Sequence, residues 1–270
     1  MAGTVKPVDV WLLVEYRGRW EYEAAAVFSA SIQSHLSAME SKTPKLRIAL
    51  IKQPSRTSGP LAVFWAVSQE GNPQLYRSQI SDYDALSFYP EFLGELTDEK
   101  LIAVCTHGTH DLCCAQFGNK IYEALREIDD TNVWQISHIG GCRFAPNVVC
   151  LPHGIVYGRV DRADCADIVA SYHEGEVIAE KLRGRSCYSK PVQAAERSVR
   201  ISRGIRRLDA LALAAEEETE QGEWTVGFHS GDSKRYTLSV RSHPQNTGTF
   251  KSCTATELSP RETFRIAECS

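Results

Sequence analysis

Hydrophobic positions along this chain switch between short runs that suit buried strands and four-residue spacings that suit helices. Residues 10–16 (VWLLVEY) and 46–51 (LRIALI) read as buried strands, and residues 20–39 place Ala24, Phe28, Ile32 and Leu36 on one helical stripe. Residues 61–68 and 74–78 flank Glu70-Gly71-Asn72-Pro73 and predict a hairpin, with a largely helical stretch over 83–93 after it. The same order then returns. Residues 100–105 (KLIAVC) predict a strand, Asp111 a cap for a helix over 112–128, and residues 133–138 a further strand. Residues 147–151 and 155–160 flank the turn Pro152-His153-Gly154, and residues 164–182 predict a helix.

Two successive β-α-β-β-β-α runs predict an α/β protein with two thioredoxin-like halves, residues 1–97 and 98–185. Residues 186–222 then predict a helical connector whose acidic end, 216–220, suits a solvated helix terminus. Residues 223–270 alternate like strands over 224–228, 235–241, 249–254 and 263–267. They predict a small C-terminal antiparallel β extension.

Composition narrows the function classes. The chain has 270 residues, 43% hydrophobic and 24% charged, with a net charge of −4. Those values suit a globular protein and give no basic footprint for nucleic acid. No apolar run approaches the roughly 18–20 residues that cross a bilayer, and the start lacks a secretory pattern. The expectation is a cytoplasmic protein with no membrane contact, and the sequence leaves a homodimer open.

Nine cysteines, an odd number, argue against a disulfide framework. Five of them, Cys105, Cys113, Cys114, Cys142 and Cys150, fall within one stretch that also holds His107, His110 and His138. Cys105 ends a strand, while Cys113 and Cys114 sit at a helix start, where partial positive charge lowers a thiol pKa. The apolar stripe Phe117, Ile121, Leu125 and Ile128 extrapolates back to both Cys113 and Cys114, so periodicity leaves the choice between them open. His138-Ile-Gly-Gly-Cys142 offers an imidazole and a thiol on one tight loop, where two glycines permit close approach of backbone. Thiolate and imidazole are the donors that zinc and iron–sulfur clusters select. His107 and His110 read as loop hydrogen-bonders, and Cys150 as a buried strand thiol.

These residues resemble a known family. Cys105-Thr-His-Gly-Thr-His-Asp-Leu-Cys-Cys114, His138-Ile-Gly-Gly-Cys142-Arg-Phe-Ala-Pro-Asn147 and Leu151-Pro-His-Gly-Ile-Val-Tyr-Gly-Arg-Val160 are similar to the sucrase/ferredoxin-like proteins, thioredoxin-like 2Fe–2S ferredoxins. The segment 11–20 (WLLVEYRGRW) resembles the family's N-terminal part, and the C-terminal tail carries no matching motif. The resemblance implies that Cys105, Cys114 and His138 ligate a 2Fe–2S cluster. Position 142 departs from the pattern, since cysteine stands where the family has a second histidine. Cysteine still ligates, so Cys142 completes the implied set, with Cys113 the alternative to Cys114. Three thiolates and one imidazole predict a potential between those of all-cysteine and two-histidine centres. A second imidazole nitrogen of His138 facing solvent would make that potential depend on pH.

The implied function is one-electron transfer. No sucrase chemistry is implied. The chain has no GxxxxGK[ST] or GxGxxG, so electrons must come from a separate redox partner and leave to another. Two competing expectations remain: a thiol–disulfide oxidoreductase using Cys113-Cys114 or Cys142, and a zinc-stabilised interaction module.

Overall fold

The computed structural model describes residues 1–250 and 255–269. The apolar run Val10–Glu15 forms strand β1, and helix α1 (Ala30–Lys42) returns the chain to β2 (Leu46–Lys52), parallel to β1. α1 starts at Ala30 rather than at residue 20. Ser29 caps it by accepting the Ile32 N–H, and only a short 3-10 turn, Ala24–Val27, precedes it. β3 (Leu61–Val67) and β4 (Gln74–Ile80) make the expected hairpin, with β3 antiparallel to β1. A 3-10 segment, Tyr83–Phe88, replaces the helix expected over 83–93, and the three-residue β5 (Glu95–Thr97) adds to β4.

The second half repeats these pairings. β6 (Leu101–Cys105) leads through α2 (Leu112–Arg126) to a parallel β7 (Val133–Ile136). β8 (Asn147–Leu151) lies antiparallel to β6 on its other side, and β9 (Ile155–Gly158) follows it. α3 covers only Cys165–His173, not the whole of 164–182. Gly175, at φ +75°, turns the chain away, and β10 (Leu182–Arg185) pairs with β9.

The sheet order is β10-β9-β8-β6-β7-β2-β1-β3-β4-β5. Its halves meet at β2 and β7 through the antiparallel pairs Ile51–Ile136 and Lys52–Gln135. Five strand steps separate β8 from β3, about 24 Å in a flat sheet. Yet Ser68, just after β3, donates from Oγ to the carbonyl of Pro152, just after β8, at 2.6 Å. The sheet therefore bends back on itself, and inner faces of both halves share one core. That core includes Trp11, Leu13, Phe64, Leu101, Trp134 and Leu151. Outer faces are covered separately, by α1 over β1–β3 and by α2 and α3 over β6–β9.

The connector expected to be helical to residue 222 divides in two. α4 spans Lys190–Arg203, with Ser189 as N-cap and Gly204 in the left-handed conformation at its end. β11 (Leu211–Glu220) is a strand despite its alanines and glutamates, because it pairs along its length with β12 (Glu223–Ser230). β13 (Arg235–Phe250) and β14 (Leu258–Cys269) complete an antiparallel four-stranded sheet. Of the strand expected over 249–254, residues 251–254 lie outside the described residues. Val192 and Val199 of α4 pack against Phe228, Leu238 and Val240. Among the described residues no helix is long and apolar enough to cross a membrane.

Candidate metal centre

Cys105 is the last residue of β6 and 2% exposed; Cys114 lies in the first turn of α2 and is also buried. α2 can reach the end of β6 because Gly118, one turn after Cys114, has no side chain. A Cβ there would stand 2.1 Å from the Cys105 carbonyl oxygen. Asp111 caps the helix by accepting the Cys113 N–H at 3.0 Å, as its position in the sequence implied. That geometry turns Cys114 inward and leaves Cys113 half-exposed.

His138 and Cys142 come from the loop after β7. Gly140 and Gly141 both hold positive φ, +89° and +80°, which fixes glycine at these two positions. Gly141 is doubly required, since a Cβ there would strike the Arg183 guanidinium at 2.2 Å. Cys142 opens a 3-10 turn ending at Phe144.

The four sequence-derived residues converge. Donor atoms of Cys105, Cys114 and His138 all lie within 4.8 Å of one another. Cys142 Sγ stands 3.7 Å from Cys114 Sγ and 3.4 Å from His138 Nδ1. Two thiolates on one tetrahedral ion with bonds of about 2.3 Å stand roughly 3.8 Å apart. The Cys114–Cys142 spacing matches that figure, so the donor set fits a thiolate- and imidazole-held metal group. Cys113 does not join it. Cys150 belongs to the core on the other face of the sheet.

Hydrogen bonds couple the protonation of these four groups to one another. A hydrogen bond from Cys114 holds the Cys105 thiol well below its ordinary range despite burial, and His138 and two backbone N–H groups add to it. Cys142 is lowered to about 7, first by Cys114 and then by His138. Cys114, the shared donor between two sulfurs, is pushed up correspondingly. Burial opposes the charge of His138, but hydrogen bonds to Cys105 and Cys142 outweigh it and raise the imidazole to about 9.

His107 supports rather than ligates. Its Nδ1 accepts the His138 N–H at 3.0 Å, so that nitrogen carries no proton, and Nε2 donates to the Glu21 carbonyl at 2.7 Å. Burial lowers its pKa and keeps it in this neutral form. His110 stacks on His138, with ring centroids 3.7 Å apart, and exposed Tyr22 stacks on His110 at 4.6 Å. These rings edge a cavity of about 250 Å³ that also meets Arg47.

Sequence reasoning missed two arginines. Arg47 donates from Nη2 to the His138 carbonyl, and Arg183 donates to Gly140 O at 3.1 Å and to Asn147 Oδ1 at 2.8 Å. Arg183 lies in a segment, LRGR, whose polarity hid a buried strand; nothing local in the sequence marks it. Tyr157 packs in the outer core and takes no part in the donor group, while Arg159 rests over the Phe144 ring.

Comparison with known proteins finds partial likenesses. The chain is 32% identical over 101 residues to "Altered inheritance of mitochondria protein 32" of Meyerozyma guilliermondii, covering 33% of this chain and 36% of that one. The Candida glabrata protein of the same name is 28% identical over 108 residues, with 34% of each covered. The match thus spans about a third of the length of these curated relatives. Among solved structures, a thioredoxin-like [2Fe-2S] ferredoxin from Aquifex aeolicus is 22% identical, with TM-score 0.28, over 32% of this chain and 91% of that one. A variant of that ferredoxin gives the same score over 31% and 97%. The sucrase/ferredoxin-like family model matches residues 1–184, which hold the whole donor group, and the chain belongs to that family.

Proposed function

We propose that the protein is a one-electron carrier in which Cys105, Cys114, His138 and Cys142 hold a 2Fe–2S cluster. The observation that carries this reading is the convergence of four donors from three separate segments. In this reading each half of the bent sheet is a thioredoxin-like unit, and only the second carries the cofactor. The cluster supplies one-electron chemistry, while the chain supplies the donors, the neutral His107 brace and the enclosing walls. Donor and acceptor of the electron are separate proteins. A cytoplasmic location is part of the same proposal.

The test is anaerobic purification followed by iron and labile-sulfide analysis and electron paramagnetic resonance after dithionite reduction. About two irons, two sulfides and a signal of the reduced protein support the reading. A colourless protein holding one zinc would replace it with a zinc-stabilised module.

One observation favours a second reading. Cys114 and Cys142 stand 3.7 Å apart with Cys142 lowered to about 7, so this pair is poised for thiol–disulfide exchange. That reading expects a metal-free protein whose mass falls by two hydrogens on mild oxidation. It also expects activity lost on alkylation of Cys142.

A further inference from the structure

Two guanidinium groups clasp the ligand loop from either side. Arg47, on β2, donates to the carbonyl of His138; Arg183, on β10, donates to the carbonyl of Gly140. Arg183 is 2% exposed, and its other acceptors are Asn147 Oδ1 and the Oγ1 and carbonyl of Thr4, all neutral. Its guanidinium lies against Gly141, the residue before Cys142. Arg47 Nε is sealed from solvent without a hydrogen-bond partner, and the side chain lies 6.0 Å from the Trp11 ring. Neither arginine has a carboxylate within ion-pair distance among the described residues; Glu40 acts on Arg47 only at longer range.

Both a charge buried as Arg183 is and a sealed donor such as Arg47 Nε are expensive unless a counter-charge lies nearby. Other buried arginines here do have one: Arg200 pairs with Glu196 at 3.0 Å, and Arg185 lies 3.9 Å from the same carboxylate. The negative charge that a bound metal group would bring lies where these arginines already grip the ligand loop, Arg47 at His138 O and Arg183 at Gly140 O beside Gly141. Arg143, also near Arg183, adds like charge rather than relief.

We infer that Arg47 and Arg183 are the counter-charges of the metal group and set its reduction potential upward. This deepens the electron-carrier reading and rests on it. Two ferric ions, two sulfides, three thiolates and a neutral imidazole sum to one negative charge. One electron from a one-electron reductant converts one ferric ion to ferrous and makes that charge two. Two fixed cations oppose the two charges of the reduced form, so each arginine stabilises that form more than the oxidised one. They are positioning residues: each acts through the loop and the field, and neither touches iron.

The test is a dithionite titration of reconstituted wild type, R47Q, R183Q, R47K and R183K, with iron content measured in each. For either Gln variant the reduced-to-oxidised ratio at a fixed potential is expected to fall about tenfold, which for one electron is roughly 59 mV. The Lys variants, which keep the charge, should recover most of that shift. Gln variants with full iron and ratios within about threefold of wild type would overturn the inference while leaving the carrier reading intact. Wild type without the reduced-state signal would overturn both. Should R183Q fail to retain iron, the R47Q and R47K pair decides the matter on the same criterion.

Discussion

The two halves of the large sheet use one frame for different ends. In the first, β1 lies between parallel β2 and antiparallel β3, and its last residue, Glu15, pairs with Ile51. In the second, β6 lies between parallel β7 and antiparallel β8, and its last residue, Cys105, pairs with Ile136. The positions correspond, and both side chains are buried. Glu15 is held by Arg17 at 2.8 Å, by Arg56 at 3.2 Å and by the Ala62 N–H at 2.8 Å. Cys105 instead faces other thiols and an imidazole. The end of this strand thus carries a carboxylate paired with arginines in one half and a thiol among thiols and an imidazole in the other. The first is a structural brace; the second belongs to the candidate metal centre.

That contrast can be broken at several points. Cys105→Ser is expected to have the largest effect, abolishing stoichiometric metal binding while thermal unfolding of the metal-free protein changes little. A variant that still holds full metal would remove Cys105 from the ligand set. Glu15→Ala should do the opposite, costing about 2–3 kcal/mol of stability by leaving two arginines and a buried N–H without their acceptor. Calorimetry of the metal-free protein reads this directly. Gly118→Ala comes next, at about 1–3 kcal/mol, because its Cβ would meet the Cys105 carbonyl. It should also weaken metal binding by moving Cys114, and a variant with normal affinity would show that α2 can shift freely.

Acid sharpens the comparison from the first half alone. Despite the opposing effect of burial, hydrogen bonds from Arg56, Ala62 and Arg17 hold the Glu15 carboxyl below its ordinary value. A depressed carboxylate adds stability above its unfolded pKa and loses it as pH falls through the folded value. The Tm difference between wild type and Glu15→Gln should therefore narrow as pH is taken from about 6 down to about 3. A difference that stays constant over that span would mean that charge at Glu15 contributes nothing. The smallest effect is expected of Cys113→Ser, which should retain full metal content, since the donor group is built with Cys114.

Much of this was legible from the residues. Apolar runs located β1–β4 and β6–β9, because strands buried on both faces impose strict local patterns, and the motif spacing picked out residues that the fold brings close together. Even the Asp111 cap was readable. What failed was decided at long range. Residues 211–220 (LALAAEEETE) have the intrinsic preferences of a helix, yet pairing with β12 makes them a strand. The helix expected from residue 20 begins only at Ala30, because the Ser29 cap outweighs a stripe that continued through Phe28. Arg47 and Arg183 look like ordinary polar positions, and their importance exists only once the sheet has folded over the loop that they grip. Periodicity alone leaves Cys113 and Cys114 open; the resemblance favours Cys114, and the close approach that Gly118 allows turns Cys114 toward Cys105.

Arg183 also ties the start of the chain to the loop holding His138 and Cys142. Thr4 accepts from its guanidinium with both Oγ1 and carbonyl, and the Gly3 N–H donates to the Arg183 carbonyl at 3.0 Å. Gly3 itself is wedged so tightly that a methyl group would strike Lys190 O and the Phe264 ring. An affinity tag or fluorescent fusion spliced directly ahead of these residues therefore tugs on the scaffold of the candidate metal centre. A long flexible spacer before Met1, or attachment at the opposite terminus, leaves that scaffold undisturbed.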